Sequence, residues 1–345
     1  MTKSITIDLE NIRGIIAGLG FSLDKDQLHI GGERYLMTKN KLVLVGNRLS
    51  DKAKVIIKIA NHPHGKIEIE NEKKSRDLLK SLSFADDSIS FPQELYYGVR
   101  ENYLIFITLF ITQEKVFVDH ALEEQFFIAL KAFEAQENFH ATTFEHIKSI
   151  EKTFPIWNSK KYIESFRDFS MNKEIHTRSL ELIKSNKALI DKYTNYLTHS
   201  DFVPHNFRIK NQSLYMLDCS AVQFGNKYEG WARFLNYMII HNPDIEKALS
   251  QYILENRSKE EYLSLKIMRI YKIGFLLSFY AQSLPKTSGD LRTLTESRID
   301  LWHKILESIL NEEQLDRNFI SSYIKERNTL RSEEEKSRQR EFAKA

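Results

Sequence analysis

The sequence predicts an α+β fold, with a small antiparallel β-sheet lobe carrying one helix and a large, mainly helical lobe. Two observations predict it. Runs rich in β-branched residues gather in the first third of the chain, at 42–45, 54–59 and 103–112. Apolar residues at helical spacing dominate afterwards, over 121–135, 263–284 and 294–310. A chain of 345 residues, 42% hydrophobic and 12% aromatic, is long enough to bury a large core in two lobes.

Near the start, Gly31 and Gly32 precede an apolar run at 34–38, which with 42–45 and 54–59 forms an antiparallel meander. A glycine pair lets backbone N–H groups approach an anion closely. The stretch Lys39-Asn40-Lys41 serves equally well as the turn of this meander.

In the third run Lys58 stands between Ile57 and Ile59, a costly place for an unpaired ammonium. A helix predicted over 67–82 follows, with Glu68, Glu70 and Glu72 near its start and Leu78, Leu79 and Leu82 on one stripe. One of these glutamates is expected to pair with Lys58. The other reading is an edge-strand lysine with its head in solvent. His62-Pro63-His64 between strand and helix reads as an exposed loop without companion ligands at zinc-site spacing.

Residues 103–112 form the most apolar run, too short for a membrane helix and rich in strand formers. Leu122, Phe126, Phe127, Leu130 and Phe133 then mark an amphipathic helix, followed by Asn138-Phe139-His140, where His140 is expected to pack and hydrogen-bond. Residues 145–196 read as helical, interrupted around Phe154, Ile156 and Trp157.

The most informative stretch comes next. His199-Ser200-Asp201 is followed by Asn206, then by two short strands at 207–209 and 214–217 across a polar turn, and then by Asp218. The hairpin returns Asp218 to the side of Asn206. Phosphoryl transfer needs an acceptor hydroxyl held in line and metal to neutralise charge. Asp201 suits the first task. Asn206 and Asp218 suit Mg²⁺, which favours a few carboxylate or amide oxygens together with phosphates and water.

These residues resemble the aminoglycoside phosphotransferase and choline kinase group of the protein-kinase-like fold. The group's pattern of His-Gly-Asp, four residues, Asn, and a strand ending in Asp stands here as His199-Ser200-Asp201, Asn206 and Asp218. The resemblance implies an ATP- and Mg²⁺-dependent kinase acting on a small-molecule hydroxyl, with catalytic Asp201 on the loop opened by His199. It implies that Asn206 and Asp218 hold the metal, and that Lys58, paired to Glu72, meets the ATP phosphates under a loop at Gly31 and Gly32. It also implies adenine contacts at 107–111, an N-terminal nucleotide lobe at 1–107, a helical catalytic lobe at 108–330 and a charged tail at 331–345.

Three departures stand out: Ser200 replaces glycine, Asp218-Cys219-Ser220 lacks the usual residues after the second aspartate, and Glu229 and Arg233 occupy the place of a bracing aspartate. A protein-kinase substrate platform is not expected, because Asp-Phe-Gly, Ala-Pro-Glu and room for an activation loop are all missing. Acceptors of the aminoglycoside, amino sugar, sugar or amino alcohol class fit the resemblance. Tyr228, Trp231, Tyr237, Tyr271 and Tyr280, with Glu229 and Asp244, are candidates to meet them. The alternative is a pseudokinase, a nucleotide-binding regulatory module without turnover.

The remaining composition fits a soluble cytoplasmic enzyme. Fifty basic and 47 acidic side chains leave a formal charge of +3 without a basic block, so nucleic acid is not an expected partner. A single cysteine, Cys219, excludes an internal disulfide framework and reads as a small buried hydrophobe. The first residues lack the basic start and apolar core of a signal peptide, and a membrane partner is not expected.

Overall fold

The computed structural model describes residues 9–27, 41–81, 89–113, 115–143, 154–210, 213–333 and 335–336. Gly31, Gly32, the run 34–38, the side chains of Phe139 and His140 and most of the 331–345 tail lie outside them.

The small lobe is a five-stranded antiparallel sheet of order β1-β2-β3-β6-β5, built from β1 (Phe21–Leu23), β2 (Leu42–Arg48), β3 (Lys54–Ala60), β5 (Glu94–Arg100) and β6 (Tyr103–Leu109). Alternation along β3 sorts its side chains between two faces. Ile57 and Ile59 pack with Ile12, Ile15 and Ile16 of helix α1 (Leu9–Gly18). Ala60, with Phe106 and Leu104 of β6, meets Ile69 of helix α2 (Pro63–Ser81) on the opposite face. Lys58 shares that face and so is delivered to α2.

Helix α2 begins four residues earlier than the apolar stripe suggested. Pro63 occupies its first turn, where a missing N–H costs nothing and φ is preset for helix. His64 is therefore in the helix rather than a loop, and its Nδ1 lies 3.1 Å from Glu68. Where β1 crosses β2, Gly46 is required, since a Cβ there would stand 2.1 Å from the Ser22 carbonyl oxygen.

The large lobe is built from α3 (Leu122–Thr143), α4 (Ser159–Arg167), α5 (Lys173–Ser185), α6 (Lys187–Lys192), α7 (Glu229–His241), α8 (Pro243–Asn256), α9 (Lys259–Ser283), α10 (Gly289–Asn311) and α11 (Arg317–Leu330). Its core is centred on the stack of Phe133 against Trp231, ring centroids 3.7 Å apart, with Phe202, Phe207 and Phe234 around it. The long helix α9 is fixed at its start by a reciprocal capping box between Ser258 and Glu261.

This lobe is not wholly helical. Strand β7 (Tyr196–His199) pairs antiparallel with β10 (Val222–Gly225), and β8 (Phe207–Lys210) forms a hairpin with β9 (Ser213–Met216). The two-residue β4 (Ile89–Ser90), between α2 and β5 in sequence, adds in parallel to β9. Residues 222–225 are a strand buried along its whole length, which removes the alternation that marks a strand in sequence.

Candidate active site

The site is assembled around the loop that leaves β7. His199 ends that strand, and Phe202 and Val203, three and four residues on, are buried in the core. Phe202 stacks on Phe207 with centroids 5.1 Å apart. The loop is thus pinned on both sides of Asp201. The Asp201 N–H donates to His199 Nδ1 at 3.2 Å, which makes Nδ1 an acceptor and leaves Nε2 to donate to the Asp218 carbonyl at 2.6 Å. Burial, outweighing nearby Asp201 and Asp218, holds this imidazole below its ordinary range. With both nitrogens engaged and 1% of its surface exposed, His199 is a neutral strut between loop and hairpin.

Asn206, closing the 3₁₀ turn Pro204–Asn206, donates from Nδ2 to the Asp201 carbonyl at 2.7 Å and to Asp201 Oδ2 at 3.1 Å. Its Oδ1 remains as the acceptor end. Arg233, on the first turns of α7, donates from Nε to Asp201 Oδ1 at 2.8 Å. The packed surroundings push the Asp201 carboxyl up, but Arg233 above all outweighs them and the group lies below the usual carboxylate range. Of the two residues at the brace position, Arg233 therefore reaches the loop and Glu229 does not. Glu229 is buried among Lys272 at 2.6 Å, Tyr162 at 2.6 Å and Gln223 at 2.8 Å.

The Leu217 N–H donates to the Asn206 carbonyl at 2.9 Å, which closes the hairpin and sets Asp218 beside Asn206. Asp218 Oδ1 accepts from the Ser220 N–H at 2.9 Å, and Oδ2 lies 3.7 Å from both Lys58 and Lys41. Burial opposes ionisation of Asp218, yet Lys58 and then Lys41 hold it well below the carboxylate range.

Lys58 donates to both oxygens of Glu72 at 2.6 Å, so Glu72 rather than Glu68 or Glu70 is its partner. Glu72 is completely buried, and that burial raises its carboxyl despite Lys58. Arg76, one turn on, lies over the Phe106 ring at 5.1 Å and donates to the Pro92 carbonyl. Glu68 instead meets Lys41 at 3.3 Å. Lys41 was read only as a turn residue. It precedes β2 by one position, and nothing local marks it as a second cation for Asp218.

Between the lobes runs a slot with Val43, Val45 and Ile56 on the sheet side, Leu217 on the other, and Lys58 and Asp218 at its inner end. Residues 108–111 form part of its wall, where adenine contacts were expected.

Several proposed acceptor contacts are elsewhere. Tyr228 donates to Glu261 at 2.6 Å, Trp231 is in the core stack, Tyr271 packs on Tyr162, and exposed Asp244 faces Arg317 at 3.6 Å. Of these candidates Tyr237 reaches the loop that holds Asp201 and Asn206, its ring edge-on to His205 at 5.4 Å. Among the described residues no cluster of three His, Cys, Asp or Glu suits a metal, at His62 and His64 or elsewhere. The Cys219 thiol is buried, and that burial pushes it far above its ordinary range. No helix among the described residues is long and apolar enough to cross a membrane.

No protein-family model and no curated protein matches the chain. Its fold is the two-lobed protein-kinase-like fold of the small-molecule kinases. An apo thermostable mutant of aminoglycoside phosphotransferase APH(4)-Ia is similar over 86% of this chain and 97% of its own, with TM-score 0.61 and 13% identity. Macrolide 2'-phosphotransferase type I is similar over 87% and 99%, with TM-score 0.55 and 14% identity. Choline kinase LicA from Streptococcus pneumoniae is similar over 87% and 99%, with TM-score 0.56 and 14% identity. The aminoglycoside phosphotransferase has also been solved with hygromycin B together with ADP or AMP-PNP.

Proposed function

We propose that the protein is an ATP- and Mg²⁺-dependent kinase that phosphorylates a hydroxyl of a small molecule. The observation that carries the reading is that Lys58, Asp218 and Asn206 line one slot, with Glu72 paired to Lys58 behind it and Asp201 hydrogen-bonded to Asn206 beside it. The slot suits a flat base, with 108–111 along its edge, and Lys58 suits a phosphate. The lobes on this reading are 1–107 and 108–330.

The donor set fits Mg²⁺. Asn206 spends its amide nitrogen on Asp201 and keeps Oδ1, while Asp218 supplies a carboxylate, and a pair of protein oxygens leaves room for phosphates and water. When bound, the metal neutralises charge on the phosphates. Asp201 holds the acceptor hydroxyl in line and accepts its proton. Its depressed acidity makes it a positioning base whose main contribution is orientation. His199 keeps Asp201 and Asp218 in register through its two ring nitrogens.

One observation favours a second reading. Arg233 already occupies one oxygen of Asp201, and a nucleotide-binding regulatory module results if that pair holds with nucleotide bound. The test is ATP consumption with Mg²⁺ across aminoglycosides, sugars, choline, nucleosides and homoserine, with Asp201→Asn as control. Acceptor-dependent turnover lost in the variant, with ADP binding retained, supports the kinase. Nucleotide binding that is unchanged by Asp201→Asn, with no acceptor consumed, supports the module.

A further inference from the structure

An ammonium has three donors, and Lys58 has engaged all of its own. Two go to Oε1 and Oε2 of Glu72 at 2.6 Å, and the third is directed at the Leu217 carbonyl at 3.4 Å. A lysine that serves a nucleotide pairs the α- and β-phosphates, which takes two donors. Releasing the Leu217 carbonyl frees one. The other must come from Glu72, and its departure leaves a carboxylate oxygen unpaired on a residue with no surface in solvent.

Arg76, one turn further along α2, stands where it can take that oxygen over. Its side chain is as fully buried as that of Glu72. The guanidinium is fixed by the Phe106 ring of β6 at 5.1 Å and by the Pro92 carbonyl, to which Nη2 donates. Nη1 lies 3.9 Å from Glu72 Oε1, one of the two oxygens that Lys58 holds. That is about 1 Å beyond the usual N–H···O distance. Nη1 and Nε are both buried without a hydrogen-bond partner among the described residues. A buried donor left unmade is costly, and the nearest carboxylate oxygen to this one is already occupied by Lys58.

We propose that Arg76 is the reserve cation of Glu72: as Lys58 turns a donor from Glu72 Oε1 to a nucleotide phosphate, Arg76 Nη1 closes on that oxygen and keeps the buried carboxylate compensated. The proposal rests on the reading of Lys58 as a phosphate ligand. Arg76 meets no substrate and is a positioning residue that acts on Lys58 through Glu72. Its contribution therefore goes to the phosphates and not to the base. Without it, Lys58 can reach a phosphate only by stranding the Glu72 charge.

The test is isothermal titration of the full chain with MgADP and with adenosine, for the wild type, Arg76→Met, Arg76→Gln and Arg76→Lys. Glutamine keeps a donor for the Pro92 carbonyl without the charge, so it decides the matter if Arg76→Met does not fold. Both neutral variants are expected to weaken MgADP about tenfold and to leave adenosine unchanged, and Arg76→Lys restores most of the loss. In a Glu72→Gln background no charge needs a partner, and Arg76→Gln is expected to cost MgADP nothing further. Equal losses with MgADP and adenosine overturn the proposal, as does an MgADP affinity that neither neutral variant changes. A wild-type chain that binds no MgADP fails the nucleotide reading itself and takes the proposal with it, so the wild type alone tells the two failures apart.

Discussion

Arg233 Nε and Asn206 Nδ2 grip opposite oxygens of the Asp201 carboxylate, at 2.8 Å and 3.1 Å. The second contact is local, five residues away, and the first crosses from α7. Arg233→Met removes the contact that outweighs the packed surroundings of Asp201. A lowered folded pKa keeps the ionised form to lower pH, so losing Arg233 moves the acid limb of the kcat/KM profile to higher pH. Turnover at neutral pH is expected to fall by about 10²-fold through misplacement of the carboxylate. A pH–rate profile checks both, and an unmoved acid limb refutes the role given to Arg233.

The Lys58–Glu72 pair gives a stability test. Glu72→Leu alone leaves the buried Lys58 ammonium with only the more distant Asp218, 3.7 Å away, and is expected to cost about 3 kcal/mol. The double variant Lys58→Met with Glu72→Leu removes both charges and is expected to recover most of that loss. Urea denaturation of the three proteins measures it. Additive losses in the double variant would mean that the pair is not coupled.

Asp218 makes acid stability depend on its two lysines. Its folded pKa is depressed, so its contribution is present above the unfolded carboxyl value of about 3.9 and is lost as pH falls through the folded value. Asp218→Asn is expected to flatten the stability curve over this acid window and to leave its neutral-side shape unchanged. Stability of both proteins at a series of pH values, from urea midpoints, decides. Parallel curves below pH 4 exclude the linkage.

Lys41 is expected to act on nucleotide rather than on acceptor. With its ammonium 3.7 Å from Asp218 at the end of the slot, Lys41→Met should raise KM for ATP several-fold with little change in KM for the acceptor. Steady-state kinetics with each substrate varied in turn separates the two, and an acceptor-side effect would count against this placement.

At Gly46 the limit is steric. A methyl would stand 2.1 Å from the Ser22 carbonyl, a backbone atom that moves only with β1. Gly46→Ala is therefore expected to destabilise by about 1–3 kcal/mol, measured by denaturant midpoint, and an unchanged midpoint would show that β1 shifts freely.

How much of this was legible in the sequence follows from distance along the chain. Asp201, Asn206 and Asp218 span 18 positions, and their spacing alone implies the hairpin that brings them together. Lys58 was legible because an ammonium between isoleucines needs a partner. Choosing Glu72 over Glu68 depended on where α2 begins and which face it shows to β3, and both are settled by packing. Lys41 was not legible, being an ordinary charged residue at a turn. Arg233 was read together with Glu229 at the brace position, and only the packing of α7 decides that Arg233 reaches Asp201 while Glu229 turns to Lys272. Tyr228, Trp231 and Tyr271 show the reverse error, since an aromatic good for a cation is equally good for a core.

The small strand β4 joins two parts of the site that are usually thought of separately. It follows the helix bearing Glu72 in the chain and hydrogen-bonds to the strand that leads into Asp218. Leu78 and Leu79 at the end of that helix share an apolar cluster with Leu197 and Met216, so the seam between the lobes is packed as well as hydrogen-bonded, and the helix bearing Glu72 is anchored to the strand that leads into Asp218 by contacts that carry no charge.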